Sequence, residues 1–313
     1  MLSRTADTLY WLARYVERAE NTARIIDAAL RLSTLPASYA GARNDWEAAV
    51  AATGASELFQ RLYGEPTQAA VVDFLAFSPD NPSSIRSCLD IARANARAVR
   101  TALTIEMWET INGAWLEMKR FGASGLTRPR LGEFLSFVKE ASLRFDGSAH
   151  RTMLRNDAFD FFRIGLYLER ADSTARILDV KSDVLMPETE PAAGGLDYFQ
   201  WSAILRSVSA LTGYHWVYRQ NVKPHLVADL LILKGEMPRS LVSCYENLSR
   251  HLDGLARAYG RQGPAQRQAR SIYARLQSSG IETVFQTGLH AFLVEFISEN
   301  ARLGEAISEQ YLI

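Results

Sequence analysis

Two short segments carry the residues best suited to chemistry. Residues 15–27 read YVERAENTARIID and residues 167–179 read YLERADSTARILD. Each places a Glu-Arg pair, Glu17-Arg18 and Glu169-Arg170, ahead of a second acid and a second arginine, Glu20 with Arg24 and Asp172 with Arg176. Carboxylates beside guanidiniums can move protons, hold a ligand's charged groups, or simply pair with one another. The acids at (i, i+3) superficially resemble the carboxylates of di-metal bundles, but those sites add a histidine at that spacing on two helices. Here no histidine follows, and the arginines compete for the same oxygens, so no metal is expected.

A second group lies between them. Arg86, Arg93, Arg97 and Arg100 are spaced seven, four and three apart. On one continuous helix that puts four guanidiniums within about 60° of each other, with Asp90 alongside. Such a ladder needs carboxylates, phosphates or water to relieve its repulsion. It is either a face of salt bridges and solvent or a binding surface for an acidic ligand or partner.

The elements that position these residues are helical throughout. Leu12, Val16, Ala19, Ala23, Ile26 and Leu30 recur at three and four along a helix from Ser3, the expected N-cap, to about Leu32, with Pro36 closing the segment. A second long helix is expected from Asn81 as cap and Pro82 as first residue, running on through Glu106, Trp108 and Glu109. No pair of alternating strands flanks a hairpin turn, so the fold class is all-α. On the first helix Glu17 and Arg24 fall about 140° and 120° from Leu12, and Arg18 about 240°. The charges therefore flank or oppose the apolar stripe.

The chain also repeats itself. The two Glu-Arg segments are identical at nine of thirteen positions. VVDFLAFSPDNPSSIRSC (71–88) aligns with VADLLILKGEMPRSLVSC (227–244), matching Pro82 with Pro238, Ser84 with Ser240 and Cys88 with Cys244. Trp46 and Trp201 fall at nearly the same offset, and Phe134-Leu135 match Phe292-Leu293. A tandem duplication is expected, with halves at 1–150 and 151–313 forming one compact unit about a pseudo-twofold axis. Exposed positions have drifted between the halves, as Trp11 against Arg163 and Arg14 against Leu166 show, whereas the Glu-Arg charges have not. Those faces should be covered, either by neighbouring helices or by a ligand. The ladder positions match Val242, Ser249, Asp253 and Ala256, so the ladder belongs to the first half alone.

Composition narrows the function classes. With 35 basic and 35 acidic residues in 313, there is no basic surplus for nucleic acid or an anionic membrane. The N-terminus meets Asp7 too early for a signal peptide, and no apolar run approaches the roughly 20 residues of a membrane span. A cytoplasmic protein is expected. The two cysteines, at matched positions, read as small buried side chains. No HExxH, GxSxG, P-loop or glycine-rich dinucleotide motif is present. The five histidines are scattered, and the group His215, Trp216, Tyr218, Arg219 and His225 reads as an interface or core rim.

LSRTADTLYWLARYVERAENTAR, NPSSIRSCLDIARANARAVR with EMWETIN after it, RIGLYLERADSTARILDVK and MPRSL together resemble the Alpha-E domain proteins of bacteria. The resemblance covers the whole chain. It implies an all-helical protein defined by Glu17-Arg18 and Glu169-Arg170. It also implies association with circularly permuted ATP-grasp proteins and transglutaminase-like peptidases, which are thought to form and process peptide bonds. The leading expectation is an accessory protein that binds an acidic or peptide ligand or the ligase itself, with ATP and Mg²⁺ on the partner and no cofactor here. The alternatives are an enzyme using Glu17 or Glu169 as acid/base, and a structural homo-oligomer. The binding candidates are Glu17, Arg18, Arg24, Glu169, Arg170, Arg176, Arg86, Arg93, Arg97 and Arg100.

Overall fold

A computed structural model describes residues 1–33, 45–122, 126–179 and 196–312. Among these residues the secondary structure is helical, without a strand. The frame is a pair of long helices, α1 (Ser3–Leu32) and α8 (Asp157–Asp179), which pack on each other more extensively than any other two elements. Gly165 sits at their closest approach: a Cβ built there would lie 2.2 Å from the carbonyl oxygen of Tyr10. Only a glycine lets the two backbones come so near.

Around α1 pack α5 (Ile85–Ala98), α7 (Arg128–Thr152) and, on its other sides, α2 (Asp45–Ala52) and α9 (Leu196–Ser207), with α6 (Ile105–Met118) bridging α5 and α7. Around α8 pack α12 (Leu241–Tyr259) and α15 (Leu289–Ile307), with α13 (Pro264–Ser278) bridging them in the same way. Short helices fill the remaining connections: α3 (Ser56–Leu62), α4 (Gln68–Val72), α10 (Leu211–Tyr218), α11 (Pro224–Leu233) and α14 (Ile281–Thr287). The matched segments 71–88 and 227–244 each lead into a helix, α5 and α12. Ser84 and Ser240 cap α5 and α12 identically, each hydroxyl accepting from the amide of the serine three residues on, at 3.1 Å.

Several local expectations need correction. Leu2, not Ser3, occupies the α1 cap position, and Ser3 is already helical. Pro36 lies outside the described residues. Asn81 does not cap a helix: its Oδ1 accepts from Ser83 N and its Nδ2 donates to Phe74 O, which folds the turn that delivers Ser84 as cap. The helix from there ends at Ala98, followed by a 3₁₀ turn over Arg100–Ala102. Glu106, Trp108 and Glu109 therefore ride on α6 and do not continue α5.

The single apolar stripe expected for α1 is also too simple. Every residue from Ala19 to Ile26 is buried, as are most of α8's. These helices are enclosed on nearly all sides, which puts their charged residues inside the protein.

Candidate functional site

The enclosed charges find each other across the helix pair. The Glu17 carboxylate accepts two bonds from Arg170, Nε at 3.0 Å and Nη2 at 2.8 Å. Glu169 accepts two from Arg18, Nε at 2.5 Å and Nη2 at 3.0 Å. Each glutamate is thus clamped by the other motif's arginine in a fork-to-fork arrangement. Arg239 and Arg14 supply a second guanidinium to each. Arg239 Nη1 reaches Glu17 at 2.7 Å and its Nη2 reaches Glu20 at 2.6 Å. Arg14 Nε reaches Glu169 at 2.8 Å, while its Nη1 donates to Tyr10 Oη at 2.9 Å.

Glu20 is further held by Arg24 Nε at 2.8 Å and the Ser142 hydroxyl at 2.7 Å, and Arg24 also donates to Ser207 O. Asp172 takes Arg176 Nε at 2.7 Å, the counterpart of the Glu20–Arg24 pair. Burial alone would push the Glu17 and Glu169 carboxyls up, but the paired arginines outweigh it and bring both to about 2. A carboxylate held there is ionised at neutral pH and a poor proton acceptor, so neither glutamate suits acid–base work. Asp172 differs: burial raises its pKa in spite of Arg176.

The two clusters differ in what lies above them. Over Glu169 opens a cleft of about 540 Å³. One wall is Trp11, Arg14, Arg18 and Ser83; a second is Leu168, Glu169, Asp172 and Arg176; the third is Asn300, Gly304, Glu305 and Glu309. Trp11 lies under the Arg14 guanidinium at 4.6 Å, a cation–π contact that fixes the arginine at the cleft wall. Over Glu17 the corresponding space is filled. Ser83 aligns with Arg239, whose guanidinium occupies the Glu17 cluster. Gly304 aligns with Asp146, which is bonded to Arg163, the residue aligned with Trp11.

Of the residues singled out from sequence, Glu17, Arg18, Glu169 and Arg170 converge, with Arg24 and Arg176 beside them. The ladder does not join them, and none of its arginines lines the cleft. Arg93 donates to Asn112 Oδ1 at 2.8 Å and lies 3.9 Å over the Trp115 ring, which Lys119 covers from 3.4 Å. Arg100 lies over Trp108 and Arg86 over Phe77, while Arg97 is exposed. Three of the four arginines meet aromatic faces, which a search for carboxylate or phosphate partners overlooks. The sequence pattern does not single out Arg14, Arg239, Ser83 or Gly304, because each stands where the aligned segments differ.

Cys88 and Cys244 are free and buried, with thiols pushed up to about 12 by desolvation. Among the described residues no three His, Cys, Asp or Glu side chains converge to hold a metal. No described helix is long and apolar enough to cross a membrane.

Among the described residues the arrangement is helical throughout and built around a reciprocal Glu-Arg exchange, with a polar cleft beside it. The chain belongs to the Alpha-E family, described as a predicted alpha-helical domain with a conserved ER motif, whose model matches residues 1–312. An uncharacterized protein of Mycobacterium bovis and one of Mycobacterium tuberculosis are each 23% identical over 322 residues, covering 94% of this chain. The chain spans only 35% of the length of either relative. No solved structure matches it.

Proposed function

We propose that this chain is a non-catalytic binding protein whose cleft over Glu169 takes a peptide or amino-acid derivative by its free carboxylate, in the service of an ATP-grasp-type ligase. The observation that carries this is the charge layout of the cleft. Two guanidiniums, Arg14 and Arg18, share the one carboxylate of Glu169, a local excess of positive charge on that side of a cleft whose lining also holds the acids Asp172, Glu305 and Glu309. Glu305 and Glu309, on the third wall, are exposed and suit an ammonium group. A zwitterionic ligand satisfies both ends, and the cleft has the volume usual for small-molecule sites.

The alignment of the halves supports the same reading. A tandem duplication produced two equivalent Glu-Arg clusters; one kept a filled surface through Arg239 and the Asp146–Arg163 pair, and the other opened through Ser83 and Gly304. The low pKa of Glu17 and Glu169 weighs against the enzyme reading. The partner is the circularly permuted ATP-grasp protein, with a transglutaminase-like peptidase as a further companion, and ATP and Mg²⁺ belong to the partner. In favour of a partner is the extent of the mycobacterial relatives, which join the matched region to nearly twice its length of additional chain.

The test is thermal unfolding against short peptides with free or amidated C-termini. A ligand at about 100 times its Kd adds roughly 2.7 kcal/mol, or several degrees. Free-carboxylate peptides should raise Tm, amidated ones should not, and Ser83→Arg should remove the response by filling the cleft as Arg239 does on the other side. Equal shifts with both peptide forms, or a full response in Ser83→Arg, would refute the assignment.

A further inference from the structure

A second concavity, of about 550 Å³, lies on the far side of α8, between its first turns, the turn that precedes it and the middle of α12. It is independent of the Glu-Arg clusters. Four arginines line it, Arg155, Arg163, Arg250 and Arg257, against only two carboxylates, Asp157 and Asp160. That local excess stands out in a chain of zero formal net charge.

Both aspartates are engaged by groups other than these arginines. Asp160 Oδ1 is 2.8 Å from His251 Nδ1, and Asp157 Oδ2 accepts from the Tyr259 hydroxyl at 2.8 Å. Buried Arg163 is anchored by Asp146 and donates to the Tyr167 hydroxyl at 2.6 Å. Among the described residues, no carboxylate lies within salt-bridge distance of the other three. Arg155 donates to the His150 carbonyl oxygen at 2.5 Å and lies 4.0 Å over the Phe159 ring, and Arg250 donates to Asn247 Oδ1. Arg155 and Arg163 come from α8 and the turn before it, and Arg250 and Arg257 from α12, so guanidiniums reach the cleft from two facing sides. One carboxylate, with two oxygens in a plane, is satisfied by a single fork; a tetrahedral dianion accepts from several sides at once.

We infer that this cleft is a binding site for a phosphate-bearing small molecule, held by Arg155, Arg250 and Arg257 with Arg163 at its base. Its four arginines all lie in the second half, and the positions aligned with Arg163, Arg250 and His251 are Trp11, Ala94 and Asn95, so the first half offers no counterpart.

Calorimetric titration of the full chain with pyrophosphate, inorganic phosphate and succinate at constant ionic strength tests this. Pyrophosphate should bind more tightly than phosphate, and both more tightly than succinate. The double variant Arg155→Ala with Arg257→Ala removes two exposed side chains that have no carboxylate partner, so its helicity should stay at wild type and its Tm fall by no more than a few degrees, from the lost Arg155 contacts to His150 and Phe159, while pyrophosphate affinity falls at least tenfold. Ser83→Arg, which fills the other cleft, should leave pyrophosphate binding untouched; its loss there would mean that the anion sits over Glu169 and would overturn the assignment. So would an unchanged affinity in the double variant, no heat at millimolar pyrophosphate, or succinate binding as tightly as pyrophosphate.

Discussion

Removing the glutamates one at a time should expose the asymmetry between the two clusters. Glu17→Gln keeps the side-chain shape but leaves Arg170 without its carboxylate and Arg239 with only Glu20. The side chains concerned are nearly dry: Glu17 is 2% exposed, Arg170 12% and Arg239 10%. Stripping one partner from a buried pair of this kind costs about 3–5 kcal/mol, because the remaining charge is stranded. Glu169→Gln strands Arg14 and Arg18, but these are 18% and 24% exposed and border the cleft, so water can reach them. The cost there should be nearer that of unmade hydrogen bonds, about 1–3 kcal/mol. At roughly 2–4 °C per kcal/mol, Glu17→Gln should lower Tm by roughly 10 °C and Glu169→Gln by about half as much. Urea unfolding at pH 7, monitored by circular dichroism, gives the two free energies, and thermal melts give the two Tm shifts. If Glu169→Gln costs as much as Glu17→Gln, or if either variant matches wild type, hydration at the open side does not govern the energetics.

Three further outcomes follow from the same geometry. Both glutamates titrate well below their ordinary 4.5, so their stabilisation is complete above that pH and is lost as pH falls toward about 2. The loss should reach roughly 3 kcal/mol for each carboxylate, seen as a falling urea midpoint in acid. Gly165→Ala should destabilise by about 1–3 kcal/mol or more, since the clash is with backbone and no rotamer relieves it; Gly147→Ala, with nothing within 4 Å, should instead gain about 0.5–1 kcal/mol. Cys88 and Cys244 should resist a thiol reagent in the folded protein and react fully in denaturant, and fast labelling of the native state would contradict their burial.

The all-helical class was legible because periodicity in the long helices is strong, and the burial of the Glu-Arg residues was legible because charge survived in both segments while neighbouring positions drifted. The same comparison could not reveal Arg239 or Arg14. They align with Ser83 and Leu166, and a test that looks for retained identity passes over the positions where the halves diverge. Those positions decide where the cleft opens. The ladder failed as one helical face for a different reason: the spacing was right, but α5 ends at Ala98, which puts Arg100 on a separate turn. Once that helix ends, α6 folds back and lays Trp108 and Trp115 against the arginines, a contact no spacing rule within one helix can show.

The crossed pairing of Glu17 with Arg170 and Glu169 with Arg18 has the form of an isologous contact, in which each side gives what it receives. Neither half, taken alone, contains the arginine that its own glutamate uses, so a separated half would carry an ion pair it cannot complete without a second copy. In an association of two identical chains, any residue that opened one side would open the other as well, and both arginine clamps would be weakened together. A covalent connection removes that constraint: it holds the partners at high effective concentration and lets the two faces carry different residues. Arg239 can then keep one face shut and rigid while Ser83 leaves its counterpart accessible, a division of labour that strict symmetry forbids.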